Sequence, residues 1–256
     1  MYELKDKVVM ITGAANGIGA AFVKILVEEG VKHVIILDLD DTAGTILQNE
    51  LNQKHGDNKV KFMKCDITND EDLFRAFKDT TEQNGYIDLL VNNAGVANES
   101  TSDFIHKEIE VNVTALVNGT VKAIELMRKD KGGKGGTVIN VSSVASLIKH
   151  GPSLFVYAAT KSAILHFSNC IGKEPYYSKT ADRVITICYG ATKTGIMDKM
   201  ASFDDDINLQ ELVALYPMQT TEVAARGTLD AYRKGESGST WLINNDKPAK
   251  DITSTI

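Results

Sequence analysis

Seven short runs of consecutive apolar residues alternate with longer segments of helical period, and this alternation narrows the architecture more than any other property of the chain. The runs are 8–12, 33–37, 59–64, 89–92, 137–141, 184–188 and 240–243. Strands covered on both faces read as continuous apolar stretches, whereas half-exposed strands alternate. Helix signals fill the intervening segments 18–29, 41–54, 70–84, 103–130, 155–173 and 221–233. In the first, Ile18, Ala21, Phe22, Ile25 and Leu26 share one helix face, Lys24 and Glu28 fall off it, and Gly30 stands where a C-terminal cap belongs. Successive parallel strands need crossovers, so the repetition predicts an α/β fold, a doubly wound, seven-stranded parallel sheet flanked by helices. No linker or fixed-period repeat divides the 256 residues, so one domain, 1–256, is expected. The glycine-dense stretch 131–136 follows a helix and precedes a strand, the wrong polarity for a phosphate cradle, and reads as a loose turn.

Composition excludes several function classes. The net charge of −6 lacks the basic footprint that nucleic acid requires. No stretch approaches the roughly 18 consecutive apolar residues of a membrane span. The N-terminus lacks the layout of a signal peptide, and Cys65, Cys170 and Cys188 are odd in number without Cys-x-x-Cys spacing. Reduced thiols, no metal site and a cytoplasmic location are therefore expected. The Asn-x-Ser/Thr matches at Asn98, Asn112, Asn118 and Asn140 are expected to carry no glycan.

The first strand runs into Thr12-Gly13-Ala14-Ala15-Asn16-Gly17-Ile18-Gly19 and then a helix. Glycines permit a tight turn and close backbone approach to a pyrophosphate, whose charge rests on the helix N-terminus. Asp38 closes the second apolar run, 19 positions beyond Gly19, where a carboxylate accepts from adenosine ribose hydroxyls. A 2′-phosphate would meet Asp38, Asp40 and Asp41, with no Arg or Lys at Asn16 or just after Asp38. Like charges 4 Å apart repel by about 4 kcal/mol at an effective dielectric near 20, so NAD is expected over NADP. Asp40 and Asp41 also suit a helix cap.

Tyr157 and Lys161 stand four apart on a predicted helix, hence on one face. An ammonium about 4 Å from the phenol supplies roughly the 4 kcal/mol that lowers its pKa by about 3 units, which suits proton exchange with an alcohol or carbonyl oxygen. Ser142 and Ser143 end the fifth run, at the carboxyl edge where open α/β sheets build sites. Ser143 is placed to bond the reacting oxygen, with Ser142 packed beneath.

Together with Asn92-Asn93-Ala94-Gly95, Asp66-Ile67 and Asn112, these motifs resemble the short-chain dehydrogenase/reductase family over almost the whole chain. The resemblance implies a Rossmann-type domain with Asn112, Ser143, Tyr157 and Lys161 as catalytic tetrad. In it Tyr157 is the acid/base, Ser143 orients the substrate oxygen, Lys161 lowers the phenol pKa and binds nicotinamide ribose, and Asn112 holds a water. It also implies that Asp66 and Ile67 meet adenine and that Asn93, Ala94 and Gly95 line the adenosine side. Leu39 beside Asp38, and Gly190, Thr192 and Thr194, complete the cofactor set. The C-terminal half is similar to insect-type alcohol dehydrogenases and the 15-hydroxyprostaglandin dehydrogenase group, through Tyr216-Pro-Met-Gln-Thr, the helix 221–233 and Gly238-Ser-Thr-Trp241. That implies oxidation of a primary or secondary alcohol by a homodimer or homotetramer.

Two positions depart from the family pattern. Tyr189 replaces a proline before Gly190, placing an aromatic near the nicotinamide, and the interval from Ser143 to Tyr157 is one longer than usual. Candidate pocket residues are Leu147, Ile148, His150, Phe155, Ile196, Met197, Met200 and Met218, with Ile148 and Met197 joining Ser143 and Tyr157 as the expected substrate contacts. Their apolar character favours a hydrophobic alcohol or carbonyl. Segment 195–216 reads as a lid over that pocket. Two rivals stay open, a noncatalytic NAD(H)-binding regulatory or scaffold protein and a sugar-nucleotide epimerase.

Overall fold

In a computed structural model, which describes residues 1–148, 154–204 and 206–256, the first apolar run becomes strand β1 (Val8–Thr12), buried at every position. Helix α1 (Gly17–Glu28), β2 (His33–Asp38), α2 (Asp41–His55), β3 (Val60–Lys64), α3 (Asp70–Asn84) and β4 (Leu89–Asn92) follow. The second half contains α4 (Ser102–Ile109), a π turn (Glu110–Ala115), α5 (Leu116–Met127), β5 (Gly136–Ser143), α6 (Phe155–Ile171), α7 (Tyr176–Thr180) and β6 (Asp182–Tyr189). It closes with α8 (Gly195–Lys199), α9 (Leu209–Ala214), α10 (Thr221–Lys234), β7 (Thr240–Ile243) and β8 (Lys250–Asp251).

The strands form one sheet in the order β3-β2-β1-β4-β5-β6-β7-β8. All pairs are parallel except β7–β8. Alternate strand residues serve opposite layers. Val9, Ile11, Val34 and Ile36 pack with Phe22 and Leu26 of α1 and Leu229 of α10, while Val8, Met10, Ile35 and Leu37 pack with Leu73 and Phe77 of α3 and Ile124 of α5. Both faces being apolar, the strands read as unbroken runs; each such side chain contributes roughly 1.5–3 kcal/mol on burial. Local signals set the helix ends. Asn69 caps α3 by accepting from the Glu71 and Asp72 N–H groups, three acidic residues fill its first turn, and Gly85 ends it in the left-handed region. Gly30, with φ +78, follows α1 as its cap position requires.

Two expectations are corrected. The sheet has eight strands, because the two exposed residues of β8 pair antiparallel with β7 and carry no apolar run to reveal them. The helix expected over 103–130 is α4, a π turn and α5, ending at Met127, and Asn112 lies inside the π turn. Segment 195–216 contains the short helices α8 and α9. The strand order reverses between β1 and β4, and at such a switch point the carboxyl ends of the strands open a crevice.

Candidate active site

That crevice is a cleft of about 1300 Å³. At one end β1 turns through Gly13 (φ +62) and Gly17 (φ +59) into α1. A Cβ on Gly13 would lie 2.7 Å from the Ala94 Cα, and one on Gly19 2.5 Å from the Gly13 oxygen. Gly19 thus lies beneath the turn and serves packing, while Gly13, Asn16, Gly17 and Ile18 border the cleft. Thr12 Oγ1 accepts from the Asn93 and Ala94 N–H groups, and Asn93 Nδ2 donates to the Thr12 and Gly13 carbonyls at 3.0 and 2.8 Å. Asn93, expected at the adenosine, also ties the glycine turn to the end of β4.

Asp38 faces the same space with Leu39, Asp66, Ile67, Ala94 and Gly95. Its carboxylate accepts from the Ala15 N–H at 2.9 Å and the Asp40 N–H at 3.0 Å, so the oxygens are aimed before any ligand arrives. Asp40 caps α2 through the Ala43 N–H and accepts from Asn16 Nδ2.

At the opposite end the cleft is bordered by Ser143, Tyr157, Lys161, Gly190, Thr192 and Thr194. Ser143, at the end of β5, borders the cleft together with Tyr157, close enough to lower the phenol's pKa. Ser142 Oγ donates to the Lys161 carbonyl at 2.8 Å, securing α6 to β5. Lys161 Nζ lies 5.7 Å from the Tyr157 ring centroid and donates to the Val141 carbonyl at 3.1 Å.

The electrostatics correct the simple picture of an ammonium beside the phenol. Burial pushes the Tyr157 pKa up, the Ser143 hydrogen bond pulls it down, and the charges of Glu108 and Cys188 raise it further. Burial lowers Lys161 to about 8 against the opposing influence of Glu108 and Cys188. Burial is the largest influence on both groups.

Asn112 does not border the cleft. It is fully buried behind Gly95, accepts from the Val96 N–H at 2.9 Å, and donates to the Val96 carbonyl and Thr160 Oγ1. A Cβ on Gly95 would lie 3.3 Å from both Asn112 Oδ1 and Lys161 Nζ, so Asn112 and Lys161 meet behind this glycine.

Tyr189 meets its expectation only in part. Its residue borders the cleft beside Gly190 as expected, but its ring joins the core on the α10 face and its hydroxyl bonds Thr228, so the phenol group itself is tied to α10. Gln219 instead holds the segment after Gly190. Its Nε2 donates to Thr192 Oγ1 and the Ile243 carbonyl, and its backbone pairs with Ala191 and Lys193. Of the pocket candidates, Leu147, Ile148, Ile196, Met197 and Met200 line the cleft, but Phe155 and Met218 do not. Phe155 stacks on Phe203, their centroids 5.3 Å apart. His150 lies outside the described residues.

Sequence reasoning missed Gln219, Glu99 and Glu108. Glu99 is fully buried and accepts from the Phe155 and Tyr157 N–H groups at 3.1 and 2.9 Å, capping α6 from across the site. Isolated acidic residues in a polar stretch give no signal of burial. Among the described residues no cluster could hold a metal ion, and no helix is long and apolar enough to cross a membrane.

Comparison with known proteins places this geometry in a class. The family model for short chain dehydrogenase matches residues 7–205. The chain belongs to the short-chain dehydrogenase/reductase family. Rat 15-hydroxyprostaglandin dehydrogenase [NAD(+)] is 33% identical over 77% of this chain and 73% of its own length. Alcohol dehydrogenase 2 of Ceratitis cosyra is 30% identical over 99% of this chain and 96% of its own. Among solved structures, a short-chain type dehydrogenase/reductase from Mycobacterium marinum superposes with a TM-score of 0.82 at 23% identity, covering 95% of this chain and 96% of that one. The 3-ketoacyl-(acyl-carrier-protein) reductase of Brucella melitensis, complexed with NADH, superposes with a TM-score of 0.80 at 22% identity, covering 95% and 98%. These two likenesses concern the fold.

Proposed function

We propose that the chain is an NAD-dependent oxidoreductase that interconverts a hydrophobic primary or secondary alcohol and its carbonyl, with Tyr157 as acid/base. The observation that carries this reading is the convergence of Ser143, Tyr157 and Lys161 on one cleft whose far end holds the glycine turn and Asp38. The residues fit a dinucleotide. Gly13 and Gly17 keep the turn free of side chains, Asp38 is poised for ribose hydroxyls, and Thr192 and Thr194 border the nicotinamide end. When bound, NAD supplies the hydride acceptor and a positive charge on its ring.

The protein groups do the rest. Ser143 and Tyr157 hold the alcohol oxygen, and as hydride leaves the carbinol carbon the Tyr157 phenolate takes the hydroxyl proton. Net, alcohol and NAD give carbonyl, NADH and a proton. Lys161 and Asn112 complete the tetrad, the first at the cleft wall and the second behind Gly95. Ile148 and Met197 lie where an apolar substrate would rest, and segment 195–216 acts as a lid on one continuous domain. The exposed Phe104, Ile109 and Val121 on α4 and α5 suit burial in a homodimer or homotetramer. Three free cysteines suit a reducing compartment such as the cytoplasm. A noncatalytic role is disfavoured because Gln219 supports the segment after Gly190 and Ser143 and Tyr157 still share one cleft despite the two departures.

Initial rates with NAD and NADP over a panel of alcohols and ketones test the reading. Tyr157→Phe is expected to cut turnover about 10²–10⁴-fold while NADH binding survives. Undiminished turnover would remove Tyr157 as the base.

A further inference from the structure

Glu108 is fully buried on α4, one helical turn before Asn112. Its Oε2 accepts the Asn98 N–H at 2.7 Å, while Oε1 is buried with no partner among the described residues. A buried carboxylate is tolerated when an opposite charge faces it, and costly otherwise. Lys161 of α6 is the cation that acts on it, its Nζ lying behind Gly95 beside Asn112, one helical turn from Glu108. Its one hydrogen bond among the described residues goes to Val141, although an ammonium has three protons to donate. Glu99, from the loop after β4, repels Glu108, and Tyr157 on α6 also feels its charge. On α4 itself, Lys107 is engaged by Asp66 and Glu110. Cys188 of β6 acts on Lys161 and Tyr157.

We propose that Glu108 is a positioning residue acting through Lys161 and Tyr157, an internal counter-charge that keeps protons on both and so tunes the pH range in which the site accepts the alcohol's proton. The Asn98 bond and the turn of helix leading to Asn112 hold it in place. Burial, with the Glu99 repulsion, brings Glu108 up to about 7 while Lys161 comes down to about 8, so the two charges appear and vanish over neighbouring pH values. The inference rests on Tyr157 being the acid/base, but its test needs no substrate.

Phenol ionisation at Tyr157 is followed by ultraviolet difference titration of the protein, with the Tyr157→Phe signal subtracted. Glu108→Gln is expected to move the midpoint down by about one pH unit, since removing a negative charge at this range favours phenolate. Glu108→Asp should bring it back toward the original. The rising limb of kcat/KM for alcohol oxidation should shift in parallel. An unmoved midpoint, or an Asp variant behaving like Gln, overturns the proposal. Should the variants not fold, wild-type protein labelled with ¹³C at the glutamate carboxyl is titrated by NMR. One carboxyl titrating near neutrality is expected, and none doing so refutes the idea. A shifted phenol in a protein that oxidises no alcohol preserves the coupling and removes the oxidoreductase reading. Turnover with an unshifted phenol does the reverse.

Discussion

At the scale of a single carboxylate, the proposed choice of nucleotide falls to Asp38. Its oxygens are aimed by two backbone N–H groups, and the Asp40 carboxylate follows close by in the chain. Steady-state kinetics should show NAD preferred over NADP, with Asp38→Asn narrowing the ratio of kcat/KM values at least about tenfold as the repulsion is lost. A wild-type preference for NADP would defeat that argument. Ser143, Tyr157 and Lys161 were legible in the sequence because their spacing follows a strand end and a helix face. Glu99 and Glu108 were not. Nothing local distinguishes a glutamate that caps a distant helix from one on a solvated face, because its partners lie 56 and 58 positions away.

At the scale of the element, the segment after β6 replaces a stiff proline with a hydrogen-bonded clamp. Gln219 is fully buried and its amide bridges Thr192 and Ile243. Gln219→Leu is expected to lose about 1–3 kcal/mol in a urea melt and to weaken NADH binding, measured by calorimetric titration, as Thr192 and Thr194 loosen. Unchanged binding would show that the clamp does not position them. Gly190→Ala tests the same segment from the other side, because its Cβ would fall 1.8 Å from Asn244 Oδ1. It should cost about 1–3 kcal/mol, unless Asn244 can swing away. The long middle helix teaches a related lesson. Its apolar period continues through 103–130, so the π turn at Asn112 is invisible until Asn112 bonds both backbone groups of Val96. π turns cluster at functional positions, which fits this one.

For the whole molecule, buried acids shape stability against pH. Asp182, at the start of β6, is 1% exposed, and neither carboxylate oxygen has a partner among the described residues. Burial pushes its pKa up from 3.8 to about 7 against the pull of the nearby Gly136 backbone N–H and of Arg128. Above the unfolded pKa this carboxyl binds a proton in the native state that the unfolded chain has lost, so its contribution to stability falls as pH rises toward 7. Urea melts at pH 5 and pH 7.5 should differ by about 2 kcal/mol on account of Asp182, and Asp182→Asn should abolish that part of the difference. Glu108 contributes in the same direction and window, so a residual slope is expected. Burial lowers the His33 pKa and so contributes in the opposite direction, and the decisive result is therefore the comparison with Asp182→Asn: an unchanged slope in that variant would contradict the Asp182 reading.

The order of strands and helices, the two-sided core, the glycine turn and the Tyr157–Lys161 face follow from sequence alone, because each depends on residues close together in the chain. Apolar periodicity selects strand or helix, and φ-permissive glycines and capping residues place the ends. The tertiary structure decided how charge is shared in the cleft, where Tyr189 points, and which polar groups are buried. Those outcomes depend on desolvation and on partners brought together by the sheet, and a carboxylate's energy depends on what surrounds it in space.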